Sequence, residues 1–311
     1  MALESLRGAY GQTLLKLGRE NADLVVLDAD LAKSTQTQVF TREFSDRFID
    51  MGLAEQDMVS TAAGIALTGK TVFASSFCAF LMGRVFDQVR QSVCYNQANV
   101  KLVGTHSGLG VGEDGATHQA LEDVALARTL PGMTVIVPAD AIETARAVEF
   151  AAAAPGPFFI RLTRNSLPTV LPADHRFEPG RAPVLRDGDR VALVAMGAMV
   201  EKALQAADIL AAGGVAAAVV DFSSLQPLDG EVLLRYARRA GRIVTIEDHS
   251  VHGGLGGACA EFLAQHHPVP MRILGVEGRF GRSGKPEDLY AQFHLTAADI
   301  AAAAERLLSQ P

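Results

Sequence analysis

The densest group of side chains that could do chemistry lies in one glycine-rich stretch, residues 105–119. Two histidines and two acids fall within thirteen residues of it: His106, Glu113, Asp114 and His118. Imidazoles and carboxylates suit proton transfer and the binding of polar substrates. The alternative is a solvated loop whose polar side chains cap neighbouring elements. We favour a functional loop, because glycines and titratable groups are concentrated in the same few residues.

The same stretch matches a nucleotide-binding pattern that we reject. Gly110, Gly112 and Gly115 fit G-x-G-x-x-G, with a strand-like run before them and a helical one after. However, Glu113 and Asp114 would lie beside a pyrophosphate, and like charges repel each other. One fingerprint of this kind does not establish a dinucleotide site.

Glu55 is a second candidate, and it stands among Met51, Leu53 and Met58. A carboxylate among apolar neighbours is costly to ionise. A protonated glutamic acid can donate a hydrogen bond or a proton, which is useful in catalysis. The alternative is an acid in the first turn of a helix, where the helix dipole favours negative charge. Taken alone, this stretch favours the helix-start interpretation.

Two further groups of residues have two interpretations each. Phe77, Phe80 and Arg84 share a face if a helix begins at Phe77, but aromatic residues so spaced are more often core than a ligand platform. Arg161 and Arg164 close a strand-like run, where they could clamp a phosphate or carboxylate or simply face solvent.

Two glycine-rich segments in the second half are also ambiguous. Residues 249–257 place glycines and two histidines at a helix start, where an anion could bind or a tight turn could pack closely. Residues 278–286 resemble a phosphate-binding loop. We reject that match because Arg279 replaces its first glycine and Pro286 its Ser/Thr.

Strand-like and helical segments alternate along the chain, which predicts an α/β fold with parallel sheets. Short apolar runs typical of buried strands occur at 24–27, 48–51, 70–76, 98–104, 133–138 and 158–162. Helical spacing predicts helices at 1–20, 59–67, 77–90, 120–128 and 142–154. Loops that follow parallel strands meet at the carboxyl edge of the sheet, where α/β proteins bind ligands.

The alternation restarts after a stretch rich in proline. Residues 166–187 hold four prolines and no sustained periodicity, and we interpret 169–187 as a linker. It separates a domain at 1–168 from a smaller one at 188–311. Strands in the second are predicted at 190–196, 215–221, 242–247 and 271–276, and helices at 199–212, 229–240, 258–266 and after Thr296. Two doubly wound domains are therefore expected.

Composition excludes several classes of protein. The 311 residues carry a formal net charge of −7, which argues against a nucleic-acid surface. The three cysteines are far apart, so neither a disulfide framework nor a zinc site is expected. No apolar run could span a bilayer, and the N-terminus lacks the layout of a signal peptide. We expect a soluble, cytoplasmic protein that makes no contact with membranes or nucleic acid.

In their order along the chain, these segments resemble the C-terminal half of transketolase, a thiamine-diphosphate enzyme. The resemblance covers essentially the whole chain. It rests on residues 28–35, 52–58, 77–80 with 84–90, 105–106 with 112–119, 161–164, 253–256 and 281–285. It implies a pyrimidine-binding domain followed by a transketolase C-terminal domain.

The resemblance also implies how the cofactor would be bound and activated. Glu55 is similar to the glutamate that hydrogen-bonds N1′ of the aminopyrimidine and so promotes proton removal from the thiazolium C2. Phe77 and Phe80 resemble the aromatic pocket around that pyrimidine, and Arg84 belongs to the same matching segment. Glu55, with His106 and His118, is the implied catalytic set.

Substrate contacts follow from the same resemblance. His106 and Asp114 are similar to residues that bind sugar hydroxyls, and His118 to one near the donor carbonyl. Ser34 and Arg164 resemble ligands of the terminal phosphate. No metal ligand is implied in this chain.

The family usually carries, ahead of this half, a domain with a Gly-Asp-Gly…Asn motif, which the 311 residues do not contain. The resemblance therefore implies the C-terminal subunit of a split transketolase. A partner chain would hold the diphosphate and the Mg²⁺ or Ca²⁺, in an α2β2 assembly acting on sugar phosphates of the pentose phosphate type. The alternatives are the β subunit of a 2-oxo-acid dehydrogenase and a non-catalytic assembly or regulatory subunit. His106, Asp114 and Arg164 favour a phosphorylated polyol over a short oxo acid.

Overall fold

A computed structural model describes residues 3–310, and it contains two parallel-sheet α/β domains and a small two-stranded ribbon. The strands are β1 Leu3–Ser5, β2 Leu24–Asp28, β3 Phe48–Asp50, β4 Thr71–Phe77, β5 Val100–Thr105, β6 Thr134–Ile136, β7 Phe158–Arg161, β8 Ser166–Pro168, β9 Val184–Arg186, β10 Val191–Ala195, β11 Ala217–Asp221, β12 Ser224–Gln226, β13 Ile243–Ser250 and β14 Met271–Val276. The predicted α/β class is confirmed.

Twelve α-helices are described. They are α1 Leu6–Glu20, α2 Ala32–Thr35, α3 Gln38–Thr41, α4 Glu55–Ala66, α5 Phe86–Gln88, α6 Asp123–Arg128, α7 Ala141–Ala153, α8 Met199–Ala212, α9 Gly230–Ala240, α10 Leu255–His266, α11 Pro286–Gln292 and α12 Ala297–Leu308. The predicted helix at 1–20 is present from Leu6, and its first two residues lie outside the described chain. Thr296 caps α12 in a reciprocal bond with Asp299, so the predicted helix start there is confirmed.

The first sheet has seven strands in the order β12-β6-β7-β5-β4-β2-β3, and all but β12 run parallel. Its core lies on two sides, with α1 and α7 against one face and α4 and α6 against the other. The second sheet, β14-β13-β10-β11-β9, is parallel except for its edge strand β9. Since strands β2, β4 and β5 all end at one edge, the residues that follow them are brought together there.

The predicted continuous helix at 77–90 is wrong. Phe77 is still the last residue of β4, paired with Thr105, and two π-helical turns follow at Ala79–Gly83 and Val89–Cys94 on either side of α5. π-helical turns widen the backbone and often occur at functional sites. The irregular path sets the relative positions of Phe77, Phe80 and Arg84, which helical spacing did not predict.

The two domains share structure rather than merely touching. Strand β12 follows β11 of the second sheet but pairs antiparallel with β6, at the edge of the first. One apolar cluster also runs through both domains and includes residues such as Leu27 and Met58 of the first and Val220 and Leu255 of the second. Within the predicted linker, β9 pairs with β11 as part of the second sheet.

A buried pair of carboxyl groups lies where the domains meet. Glu143 of α7 and Asp221 at the end of β11 are fully buried and close enough to influence each other's ionisation, and neither Asp221 oxygen has a hydrogen-bond donor among residues 3–310. Glu143 also accepts hydrogen bonds from the Ser223 hydroxyl (2.6 Å) and the Ala139 amide (2.8 Å). Burial raises the pKa of both side chains, and the charge of Asp140 adds to this effect in Glu143, while the proximity of Glu143 adds to it in Asp221. The raised pKa values favour the protonated form, so we expect the pair to share a proton between the domains.

Replacing Glu143 by glutamine should make thermal stability less sensitive to rising pH. With raised pKa values, the folded protein binds more protons than the unfolded chain, so this stabilisation is full in acid and is lost as the pH rises through the pKa of the folded pair. The glutamine carbonyl can replace the oxygen that accepts from the Ala139 amide, and its NH2 group can donate to the Ser223 hydroxyl or to Asp221, without a titrating proton. Unfolding midpoints measured from about pH 6 to 9 should fall more in the wild type than in the variant.

Two other titratable groups face the pair and bear on that measurement. Asp140 lies beside it in the N-cap of α7, and His175 approaches Glu143 at 3.7 Å with its pKa lowered by burial. Glu149, on the outer face of α7 with Lys16 and Arg146, is the matched control, and Glu149→Gln should keep the wild-type pH dependence. Equal slopes for Glu143→Gln and the wild type would contradict the shared proton.

Candidate active site

Helix α4 presents Glu55 at its first residue, where β3 has just ended. The side chain is 2% exposed, and a carboxylate there also complements the helix dipole. Arg84 Nη1 donates to Glu55 Oε2 at 2.7 Å, and the arginine side chain is itself 50% exposed. The expectation of a carboxylate with only apolar neighbours is therefore wrong, since Arg84, the residue that follows the first π-helical turn, reaches it. Glu55 is both an acid at the start of a helix and the buried partner of an ion pair whose arginine is half exposed.

Aromatic and imidazole rings extend from that ion pair as a continuous stack. The Arg84 guanidinium lies 4.4 Å from the Phe80 ring centre, and Phe80 stacks on Phe77 at 5.8 Å. Phe77 in turn stacks on His106 at 3.8 Å, while His118 meets Phe80 edge-on at 5.2 Å. The residues expected to hold a heteroaromatic ring, and both expected catalytic histidines, are thus brought together. We call this the ring cluster: Glu55, Arg84, Phe80, Phe77, His106 and His118.

His106 occupies an unusual position in the ring cluster. Its φ of +56° is in the left-handed region, which is rare for a residue with a side chain. Burial, followed by the charges of Arg7, Arg164 and His118, lowers the pKa of His106 to about 3. The imidazole is therefore neutral over the physiological range. Its Nδ1 shares a hydrogen bond with the Thr105 hydroxyl (2.9 Å), which leaves Nε2 for a ligand.

A second cluster collects cations beside the ring cluster. Arg164 donates to the Val111 carbonyl at 2.7 Å and lies 3.5 Å from the Asp114 carboxylate. Arg7 donates to the carbonyls of Ser34 (2.7 Å) and Arg164 (2.9 Å). The proximity of the two guanidiniums, after burial, lowers the pKa of Arg7. We call Arg7, Ser34, Asp114 and Arg164 the anion cluster, because two close cations with few counter-charges favour an anionic ligand.

Arg7 was missed in the sequence although a signal for it exists. A cation in the first turn of a helix opposes the helix dipole, and α1 has Arg7 but no acid there. Such a residue is more easily explained by a contact elsewhere in the fold. Glu113, by contrast, is exposed and takes no part in either cluster.

The second domain holds the glycine-rich loop in place. Asp248 accepts hydrogen bonds from the Leu109 amide (2.8 Å) and the Tyr290 hydroxyl (2.9 Å). Gly108 has a φ of +62°, and a side chain there would overlap the Asp248 carboxylate. Gln119 donates to the Arg282 carbonyl at 3.0 Å, which joins the loop to the segment that resembled a phosphate-binding loop. That segment therefore clamps residues 109–119.

The other ambiguous glycine-rich segment, residues 249–257, is explained by packing. The amides of Leu255 and Gly256, at the start of α10, donate to the two Glu247 carboxylate oxygens at 2.7 and 2.9 Å. The helix N-terminus is thus capped by a side chain of this chain, and a side chain at Gly254 would overlap that carboxylate. His249 is fully buried, and burial lowers its pKa to about 4. The tight-turn interpretation is the one that the structure supports.

The two arginines that close β7 have different surroundings. Arg161 is buried, and its Nε donates to Asp123 at 2.8 Å while Nη2 donates to the carbonyls of Ala120 and Asp248. Its donors are committed to the protein interior. Arg164 is half-buried in the anion cluster, so it is the one of the two that a ligand could reach.

Two kinds of feature are absent from the described residues. Between Leu3 and Gln310, no helix is long and apolar enough to cross a membrane. Over the same range, no group of three or more His, Cys, Asp or Glu side chains is arranged to hold a metal ion.

Comparison with known proteins places both halves of the chain. Residues 4–170 match the family model of the transketolase pyrimidine-binding domain, and residues 180–300 match that of the transketolase C-terminal domain. A 6-deoxy-6-sulfo-D-fructose transketolase subunit from Clostridium sp. is 41% identical, over 97% of this chain and 94% of its own length. An apulose-4-phosphate transketolase subunit from Phocaeicola vulgatus is 37% identical, over 94% of both.

A solved structure is similar over almost its full length. It is a split-gene transketolase, determined as an inactive β4 tetramer, with 47% identity, a TM-score of 0.90 and 99% of both chains covered. Both relatives are single subunits that this chain matches nearly end to end. The shared region is therefore a separate chain in each of these proteins.

Proposed function

Because the chain belongs to the transketolase family, as the C-terminal subunit of a two-chain, thiamine-diphosphate-dependent enzyme, we propose that with its partner it transfers a two-carbon ketol unit from a ketose phosphate to an aldose or aldose phosphate. The observation that carries the proposal is that one loop, residues 105–119, contributes to both clusters. It supplies His106 and His118 to the ring cluster and Asp114, which lies 3.5 Å from Arg164, to the anion cluster. One ligand could therefore span both.

The ring cluster fits the aminopyrimidine half of thiamine diphosphate. A buried carboxylate at Glu55 can hydrogen-bond a ring nitrogen, and the faces of Phe77 and Phe80 suit a heteroaromatic ring. When bound, the cofactor supplies a carbanion-stabilising centre that the protein's own side chains lack. Glu55 would hold a proton at the pyrimidine nitrogen, and Arg84 would keep the carboxylate oriented from its open side.

The polar side chains of both clusters would orient the sugar. A neutral His106 can accept or donate one hydrogen bond through Nε2, which suits a hydroxyl group. His118 lies at the edge of Phe80, where it could move a proton at the donor carbonyl. Asp114 would bind a further hydroxyl, and Ser34, Arg7 and Arg164 would bind the anionic end.

The anionic end of the substrate is the variable part of the proposal. One relative is named for a sulfonated fructose and another for a phosphorylated apulose. Both sugars have a carbon backbone that ends in an anion, which is the chemistry of the anion cluster. We infer a phosphorylated sugar here, and sulfonated sugars are the first alternatives to assay.

The outer face of α4 is the proposed docking surface for the partner chain. Leu53 and Leu67 are exposed at its two ends, Tyr95 is exposed nearby, and the space beside Gly64 is open. Glu55 begins this helix, so a partner seated there would meet the ring cluster directly. We infer that the partner holds the cofactor's diphosphate and its divalent metal, in an α2β2 complex.

Reconstitution tests the function. The chain should co-purify with the subunit that carries the diphosphate-binding half, take up thiamine diphosphate, and have the mass of an α2β2 complex. That complex should transfer a two-carbon unit between sugar phosphates and should not decarboxylate pyruvate. Activity with pyruvate alone would identify a 2-oxo-acid dehydrogenase β subunit instead, and full activity of the partner without this chain would leave it an assembly or regulatory role.

A further inference from the structure

Asp28 is a fully buried carboxylate that neither cluster includes. It is the last residue of β2, with 0% of its surface exposed. Its Oδ1 accepts a hydrogen bond from the Leu31 amide at 2.6 Å. Its Oδ2 accepts from the hydroxyls of Thr35 (2.7 Å) and Thr37 (2.9 Å). Each of these three donors belongs to the turn that follows β2.

That turn carries Ser34 of the anion cluster. Short helix α2 ends at Thr35, and Gln36 then takes a φ of +72°, which reverses the chain toward α3. Asp28 therefore binds the turn through its side chain at both ends of α2. Arg7 binds the same turn at a third point, the Ser34 carbonyl, at 2.7 Å. The position of Ser34 relative to the two guanidiniums depends on these two attachments.

A carboxylate that closes a turn in the protein interior loses its hydration, which lowers the stability of the fold. Burial raises the pKa of Asp28 to about 6, against the opposing effect of its hydrogen bonds. An apolar side chain would fill the volume without that cost, but it would leave the Leu31 amide without its side-chain acceptor and the two threonine hydroxyls with only longer bonds, to each other and to the Leu31 carbonyl. The Asp28 carboxylate thus holds the turn in one conformation, and its burial lowers the free energy of unfolding.

We propose that Asp28 is a positioning residue for the anionic end of the substrate: its carboxylate fixes the 31–37 turn so that Ser34 faces the same ligand as Arg7 and Arg164. The proposal rests on the proposed role of the anion cluster and goes beyond it by adding a residue that touches no ligand. Loss of the carboxylate should weaken recognition of the anion and leave the chemistry at the ring cluster intact.

Asp28→Asn in the reconstituted complex tests this proposal, because it should change the KM for a phosphorylated donor and not the KM for a donor without phosphate. The KM for a phosphorylated ketose donor should rise about tenfold, because small displacements of a binding group have large effects. The kcat should change little, and the KM for erythrulose, a ketose without phosphate, should stay within about twofold. Thr37→Val, which removes one donor, should act in the same direction more weakly. An equal rise for both donors, or no rise for either, would overturn the proposal.

Asp140→Asn is the matched control. Asp140 is equally buried and accepts from the amides of Glu143, Val170 and Leu171, each at 2.9 Å, but it lies at the start of α7. This variant should lose stability as Asp28→Asn does, without changing the ratio of the two KM values. A shift in that ratio for Asp140→Asn would show that the effect is general.

A binding measurement on the isolated chain separates this inference from the proposed function. Inorganic phosphate should raise the unfolding midpoint of the wild type above that in chloride at equal ionic strength, because a ligand of the folded state stabilises it. Asp140→Asn should keep that increase, and Asp28→Asn should lose most of it. No increase in the wild type, or an undiminished one in Asp28→Asn, would reject the proposal. Phosphate binding without ketol transfer would reject the transketolase reaction alone.

Discussion

Replacing Glu55 by glutamine in the reconstituted complex should lower kcat by about 10²–10⁴-fold, the range that one positioned acid–base group contributes. Glutamine keeps the size of the side chain and its bond to Arg84, but it cannot hold a proton at the pyrimidine nitrogen. Affinity for the cofactor should fall less than turnover, since the ring faces of Phe77 and Phe80 are unchanged. Steady-state ketol transfer and cofactor titration measure the two effects separately.

Glu201→Gln is the control for that substitution. Glu201 is likewise an acid in the first turn of a helix, α8, and it lies in the second domain, outside both clusters. Its loss should leave turnover at the wild-type level. Unchanged turnover in Glu55→Gln, with the complex assembled and the cofactor bound, would remove Glu55 from the catalytic set and favour the regulatory-subunit alternative.

Arg161→Met should be strongly destabilising, because it breaks a buried ion pair. The change leaves Asp123 buried without its cation, and it removes donors from the carbonyls of Ala120 and Asp248. Breaking a buried ion pair from one side costs about 3–5 kcal/mol. A loss of this size corresponds to an unfolding midpoint lower by roughly 10 °C, which calorimetry or circular dichroism would detect.

A double substitution distinguishes the lost ion pair from lost packing. Arg161→Met combined with Asp123→Leu removes both charges, and it should recover much of the stability because no buried charge remains unpaired. Arg239→Met, which opens an exposed pair with Asp187, should leave the midpoint nearly unchanged. If the double variant is as unstable as the single one, packing rather than charge explains the loss.

The central strands were predictable because a strand covered on both faces of its sheet has a short run of apolar residues in the sequence. The run 190–196 is apolar at every position after Arg190, and 70–76 has an apolar centre at 72–74; both became central strands, β10 and β4. Helix α8 has the predicted bounds, since its apolar residues keep helical spacing throughout. Strands β1, β8 and β12 were not predicted. Each has three residues and forms only through a partner far along the chain, as Leu3 does with Pro168.

Most members of the candidate site could be singled out in the sequence, but the contacts between them could not. Glu55, Phe77 and His106 each stood out locally, yet the contact of Arg84 with Glu55 depends on a π-helical turn that spacing rules do not anticipate. Arg7 meets Arg164 across 157 residues, a distance over which periodicity carries no information. The left-handed backbone of His106 is likewise imposed by its surroundings.

The exchange of strand β12 has a consequence for how such proteins could be recombined. A chimera that joined the first domain of one family member to the second domain of another would also replace the edge strand of the first sheet. Residues such as Ser224 and Ile136, which pair across that edge, would then come from different parents. The junction that preserves these contacts lies outside both domains, so the chain is best exchanged between relatives as one whole module.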